Sequence, residues 1–152
     1  AGYEQYEISN FARPGYESRH NMTYWRNEPY YGIGAGAHGY AARLRHMNIK
    51  GVQPYIRTCQ TGLPRAEEHP VSEQEAMEDF MMVGLRMMRG VSNEDFRRQF
   101  QVSIEEAFGQ TIASLIDQGL LERTEHGYKL SKQGLIYGND VFGAFLGAVE
   151  TV

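Results

Sequence analysis

The chain has 152 residues, 41% hydrophobic and 12% aromatic, which is enough apolar material to pack one ordinary domain or two small ones. A net charge of −4 argues against general binding to nucleic acid or anionic membranes. No apolar run reaches the roughly 18 residues of a membrane span, and the opening AGYEQYEISN lacks the basic-then-apolar layout of a signal peptide, so a cytoplasmic protein is expected. One cysteine, Cys59, excludes an internal disulfide, and by itself it cannot hold an iron–sulfur cluster or a structural zinc. The first residue is Ala rather than Met, inside what reads as a strand, and a fragment of a longer protein is expected.

Tyr6 to Phe11 alternates as a strand does, and Arg13-Pro14-Gly15 breaks it. Ser18 to Arg26, SRHNMTYWR, predicts a short helix, and Tyr30 to Ala37, YYGIGAGA, a glycine-rich strand and turn. Residues 41–49 read as a further strand and 52–61 as a helix near Pro54. Gly34 to Gly39 fits G-x-G-x-x-G literally. The context of a dinucleotide site is missing, because no acid occurs between Glu28 and Glu67 to take the ribose, and Lys50 completes no Walker motif. The glycines therefore serve either a close-packed turn or a floor under a ligand.

Of the five histidines, His20, His38 and His46 lie in this half, and none forms H-E-x-x-H or a defensible Ser/His/Asp set. His20 stands out because Tyr24 and Trp25 follow it. An imidazole can ligate iron axially, and neighbouring aromatic rings can stack on a porphyrin. The bland alternative is an imidazole that caps or packs a local turn.

LPRAEEHP has two prolines and no periodicity and reads as an exposed linker, which divides the chain into 1–62, a linker at 63–71, and 72–152. The first 71 residues carry eight Lys/Arg against six Asp/Glu, and the remainder seven against thirteen. In the second part Ser72 with Glu75, Ser92 with Asp95 and Ser103 with Glu106 have the spacing of helix starts. They predict helices near 73–89, 93–100 and 104–118. Ile104, Phe108, Ile112, Leu115 and Ile116 form the buried stripe of the third, and Gly119 ends it. Five of the seven methionines crowd between Met77 and Met88, a pattern of core rather than of an adaptable binding face. Leu120 to Thr124 and Tyr128 to Leu130 read as a hairpin around Glu125-His126-Gly127, and a last helix is expected from Lys132 to Leu146.

That order suits a winged helix, whose third helix in a DNA-binding protein needs cations for phosphates. Ile104 to Gln118 contains no Lys or Arg, and Arg97 and Arg98 are the only adjacent basic pair in this half, so no nucleic-acid partner is expected.

YEISNFARPGYESRHNMTYW followed by YYGIGAGAHGY resembles the distal part of radical S-adenosylmethionine proteins related to oxygen-independent coproporphyrinogen III oxidase, and more narrowly their haem-chaperone branch. The specific element is HNxxYW: His20, Asn21, Tyr24 and Trp25, which the resemblance marks as haem-binding, with His20 a ligand to the haem iron. The resemblance implies an α/β fragment that combines the closing part of a partial (β/α) barrel with a winged-helix-like C-terminal domain. In the full-length parent it implies a [4Fe–4S] cluster on C-x-x-x-C-x-x-C, S-adenosylmethionine, haem or porphyrin, and perhaps-distinct acceptors reduce to one class, a haem-accepting protein. The fragment lacks that cysteine motif, so it carries no cofactor and no catalytic residue of its own, and its partner is the N-terminal barrel of the same chain. Met22, Thr23, Gly32, Gly34, Gly36 and His38 fall where the family places cofactor contacts. Met22, Thr23 and His38 differ in type from the oxidase pattern, which favours the chaperone over radical decarboxylation of a porphyrinogen. The remaining alternatives are that oxidase and a winged-helix interaction module.

Overall fold

The computed structural model describes residues 2–150. The chain runs β1 (Glu4–Glu7), β2 (Asn10–Ala12), α1 (Arg19–Trp25), β3 (His38–Ala41), β4 (Leu44–Asn48), α2 (Val52–Cys59) and β5 (Arg65–Pro70). It continues α3 (Glu73–Gly84), β6 (Val91–Ser92), α4 (Asn93–Phe100), α5 (Ile104–Asp117), β7 (Leu121–Arg123), β8 (Gly127–Leu130), α6 (Lys132–Ile136) and α7 (Gly138–Gly143). Contacts group these elements into two units. One joins the chain up to Asn27 with the chain from Glu73 onward, and the other is Glu28–Ser72.

In the first unit, the single strand expected over Tyr6 to Phe11 is a hairpin of β1 and β2. The cause is Glu7, whose carboxylate Oε1 accepts from the Ser9 amide at 2.7 Å and from Asn10 Nδ2, closing the turn between the strands. The helix expected to reach residue 89 stops at Gly84. Beyond it the backbone is drawn into pairing with β1: Ile8 N donates to Arg86 O at 3.0 Å and Met88 N to Tyr6 O at 3.1 Å. Helical propensity in LRMM yields to these tertiary bonds.

Ser92 and Ser103 cap α4 and α5 as their spacing requires, and Ser103 with Glu106 completes a reciprocal capping box. Gly119, at φ +71°, lets the chain turn sharply out of α5. Ile104, Phe108, Ile112 and Leu115 are buried, whereas Ile116 is only half-buried at the edge of the stripe. Phe108 leaves helical geometry at φ −141° and kinks α5. Glu150 satisfies the backbone freed there, its carboxylate accepting from Gln110 N at 2.7 Å and its amide donating to Ala107 O at 2.8 Å.

The core of this unit is a relay of rings. Phe80 meets Phe96 edge-on with centroids 5.2 Å apart, Phe96 meets Phe108 at 6.2 Å, and Phe108 meets Phe145 at 5.3 Å. Met77, Met81 and Met87 are buried beside them, so the methionine cluster is core. The expected helix 132–146 is broken at Tyr137 into α6 and α7. Gly134 must remain glycine there because a Cβ would overlap the carbonyl oxygen of Leu120, and the two glycines of QGLIYG weaken the helix further.

In the second unit, β3, β4 and β5 form an antiparallel sheet in that order. The segment expected as an exposed linker at 63–71 is therefore largely a strand, paired along β4 from Leu44↔Pro70 to Asn48↔Arg65. Its prolines sit at the ends, Pro64 before the strand and Pro70 as its last residue, positions a strand tolerates. That is why proline content misled the expectation.

A three-stranded sheet of order β6-β8-β7 closes the first unit. Tyr128 on β8 is nearly inaccessible and donates its hydroxyl to Glu105 on α5 at 2.6 Å. Burial and this bond to a carboxylate push the Tyr128 hydroxyl up to about 12. On Glu105 burial works in the same upward direction but is outweighed by the bonds from Tyr128 and Asn93, and the carboxyl lies below its usual range. A phenol whose pKa is raised on folding stabilises fully below its unfolded value and ceases to do so as pH climbs through the folded value. Between pH 10 and about 12 the protein should therefore lose stability that Tyr128→Phe does not lose. Urea melts across that range check this, and parallel profiles would contradict it.

Candidate functional site

The sequence-predicted site residues fall in both units. His20, Asn21, Met22, Thr23, Tyr24 and Trp25 all lie on α1 in the first, while Gly32, Gly34, Gly36 and His38 lie in the second.

Ser18 starts α1, its hydroxyl accepting from Asn21 N at 3.3 Å. No α1 residue is fully buried, and His20 is exposed. His20 and Tyr24 are one turn apart, and their rings meet edge-on with centroids 4.8 Å apart. The tyrosine thus braces one edge of an imidazole that otherwise faces solvent. Thr23 Oγ1 donates back to Arg19 O at 3.1 Å and serves the helix itself. Met22 is half-buried. Trp25 differs from its neighbours: its indole Nε1 is buried without a partner, and the Arg86 guanidinium lies 4.6 Å over its ring. Arg86 in turn reaches Glu7, whose side chain is wholly buried, at 3.7 Å.

The glycine-rich segment is a turn leading into β3 rather than a strand. Asn48, itself buried, spans it, donating through Nδ2 to both Gly32 O and Gly34 O at 3.0 Å. Gly34 N donates to the Tyr55 hydroxyl at 3.1 Å, and Gly36 N to Ile49 O at 2.9 Å. Gly34 and Gly36 take φ of +111° and +69°, which L side chains rarely adopt. A Cβ on Gly32 would overlap the His38 carbonyl oxygen, and one on Gly39 the buried His46 imidazole packed across from it. Close packing therefore accounts for Gly32 and Gly39. A Cβ on Gly34 would meet open space, and the His38 side chain is exposed.

For an iron–sulfur cluster the donor set does not fit. Cys59 is an exposed thiol on α2, and among the described residues no three His, Cys, Asp or Glu side chains gather as a metal-binding group. Among the described residues no helix is long and apolar enough to cross a membrane.

Comparison with known proteins agrees with the motif on α1. Residues 71–137 match the HemN C-terminal domain family. The chain is 44% identical over 147 residues to the haem chaperone HemW of Bacillus subtilis, covering 96% of this chain and 39% of that protein. With the haem chaperone HemW of Lactococcus lactis it shares 43% over 145 residues, covering 95% and 38% respectively. The solved structure of coproporphyrinogen III oxidase (HemN) from Escherichia coli, a radical SAM enzyme, matches with a TM-score of 0.66 at 15% identity, over 95% of this chain and 37% of that one. The chain belongs to the HemN-related radical SAM family. Within it, the similarity runs to HemW haem chaperones, of which the chain matches the C-terminal portion and spans 39% and 38% of the lengths compared. The mixed α/β architecture is that of the corresponding HemN region.

Reading the sequence alone singled out α1 and the glycines but missed Glu7, Arg86, Asn48 and Tyr55. Asn48 carried no local signal because both its acceptors lie 14 and 16 residues away. Asn48→Ala removes two hydrogen bonds and leaves two carbonyls unpaired, and it should lower stability by about 2 kcal/mol in urea unfolding. An unchanged midpoint would show that the glycine turn holds itself.

Proposed function

We propose that this chain is the C-terminal portion of a haem-handling radical S-adenosylmethionine protein, in which α1 presents His20 as an axial ligand to the iron of a bound haem. The observation that carries the reading is the exposed His20 imidazole, braced by Tyr24, on a helix with the sequence HNxxYW in a chain 44% identical to a haem chaperone. A neutral imidazole nitrogen donates its lone pair to iron, and Asn21, Tyr24 and Trp25 complete the haem-binding motif. Haem is cargo here rather than a resident cofactor.

In the same reading the parent holds a [4Fe–4S] cluster and S-adenosylmethionine on an N-terminal barrel, the partner of this chain, and acts in the cytoplasm. The cluster supplies one-electron chemistry when bound, and none of this chain's residues take part in holding it. Met22, Thr23, Gly32, Gly34, Gly36 and His38 are the proposed contacts to S-adenosylmethionine, for which the open space beside Gly34 and the exposed His38 leave room. The domain plan, the closing part of a partial barrel over 1–62, a connection at 63–71 and a winged-helix-like domain over 72–152, describes the parent. The succession of α3, β6, α4, α5 and the hairpin β7–β8 supports the winged helix. The absence of any cation between Ile104 and Gln118 directs that domain toward a protein partner, such as a haem acceptor, rather than DNA.

The experiment is a haem titration of the full-length parent, wild type and His20→Ala, with folding followed by circular dichroism. Loss of the axial bond should weaken haem binding about tenfold or more and shift the Soret band, with the apolar contacts retaining residual affinity. Identical spectra and affinities would exclude His20 as ligand. Turnover of coproporphyrinogen III by the reconstituted parent, without stable haem uptake, would decide for the oxidase.

A further inference from the structure

Among the described residues, four buried side-chain atoms have no hydrogen-bond partner: Glu7 Oε2, Trp25 Nε1, Asn27 Nδ2 and Arg86 Nε. Three of them belong to one stack. The wholly buried Glu7 faces Arg86 Nη2 at 3.7 Å, and the guanidinium lies 4.6 Å over the Trp25 ring and 5.8 Å from that of Phe142. A charged pair held in this way is costly to desolvate, and an apolar pair of the same volume would often be as stable or more so. What the pair does provide is direction. Arg86 is fixed through its carbonyl, which accepts from Ile8 N, and its planar group is fixed between a carboxylate and an indole.

We propose that Glu7 and Arg86 are positioning residues: by clamping Trp25 they set the orientation in which α1 presents His20 and Tyr24 to haem. The inference rests on the haem reading of α1. Successive helical residues are about 100° apart, so Trp25 projects from a different side of α1 than the His20–Tyr24 pair, and clamping one side leaves the other open. Gly84 supports the same geometry from α3, its Cα being free of a side chain where a Cβ would come within 3.9 Å of the Trp25 carbonyl oxygen. The clamp also reassigns Trp25, whose ring face on the Arg86 side is occupied by the guanidinium and which acts as the helix's anchor.

Arg86→Met alone would strand the buried Glu7 carboxylate and endanger folding, so the test uses Glu7→Gln/Arg86→Met, which removes both charges together. Trp25 is the only tryptophan in the chain, so its emission reports the clamp directly. In the 152-residue chain the double variant should retain its circular dichroism while Trp25 emission moves to longer wavelength. In the full-length parent the same variant should bind haem about tenfold more weakly, with a smaller fraction of the bound haem showing the Soret position of imidazole ligation. Arg86→Lys, which keeps the charge without the planar stack, should fall between. Unchanged Trp25 emission would overturn the clamp. Shifted emission with wild-type haem affinity and spectrum, while His20→Ala still alters the Soret band, would overturn the positioning role and leave the haem reading intact. A Soret band indifferent to His20→Ala would instead overturn the haem reading, and this inference with it.

Discussion

The pairing of β1 with the residues just after α3 is the constraint on which the rest of the first unit depends. It ends α3 at Gly84, draws residues 86–88 out of the helix, and joins the N-terminal hairpin to the chain beyond Glu73. It also brings the buried Glu7 to Arg86, and Arg86 to the indole of Trp25. An ion pair in so dry a place contributes little net stability, because desolvation offsets the attraction. Its consequence is geometric: the short helix α1, which buries none of its own residues, is held by a single well-anchored tryptophan.

Around that junction the division of labour is clear. The phenylalanine relay from Phe80 to Phe145 and the methionines of α3 supply the apolar core, while caps and a capping box satisfy the helix ends. The Tyr128–Glu105 bond ties the hairpin to α5. In the second unit a single side chain, Asn48, holds a glycine turn that has almost no side chains with which to hold itself. In both units a polar group fixes the direction of a segment whose hydrophobic burial alone would leave it loosely specified.

What could be read from the sequence was what local chemistry encodes. The starts of α4 and α5 were legible because a serine followed by an acid three residues later satisfies backbone donors wherever it occurs, and Gly119 marked its own left-handed turn. The α1 motif was legible as a pattern, and the similarity to haem chaperones bears out the family it suggested. Long-range terms were not legible. Nothing in LRMM says that β1 will unravel the end of α3, nothing in RAEEHP says that β4 offers a partner to pair with, and the Phe108 kink is possible because Glu150 fills it from 40 residues away. The expectation that Trp25 would offer a free face to a porphyrin failed to anticipate Arg86, 61 positions further on, for the same reason.

The central claim is that α1 carries the haem ligand on this chain's own surface. At 17.3 kDa the chain is suited to amide-resolved NMR, and ferric haem broadens the signals of nuclei close to its iron. Added at concentrations where haem is bound, it should broaden the amides of Arg19–Trp25 first and most, while those near His46 and His126 keep their intensity. Bound haem that leaves the α1 amides sharp and broadens another region would contradict the account.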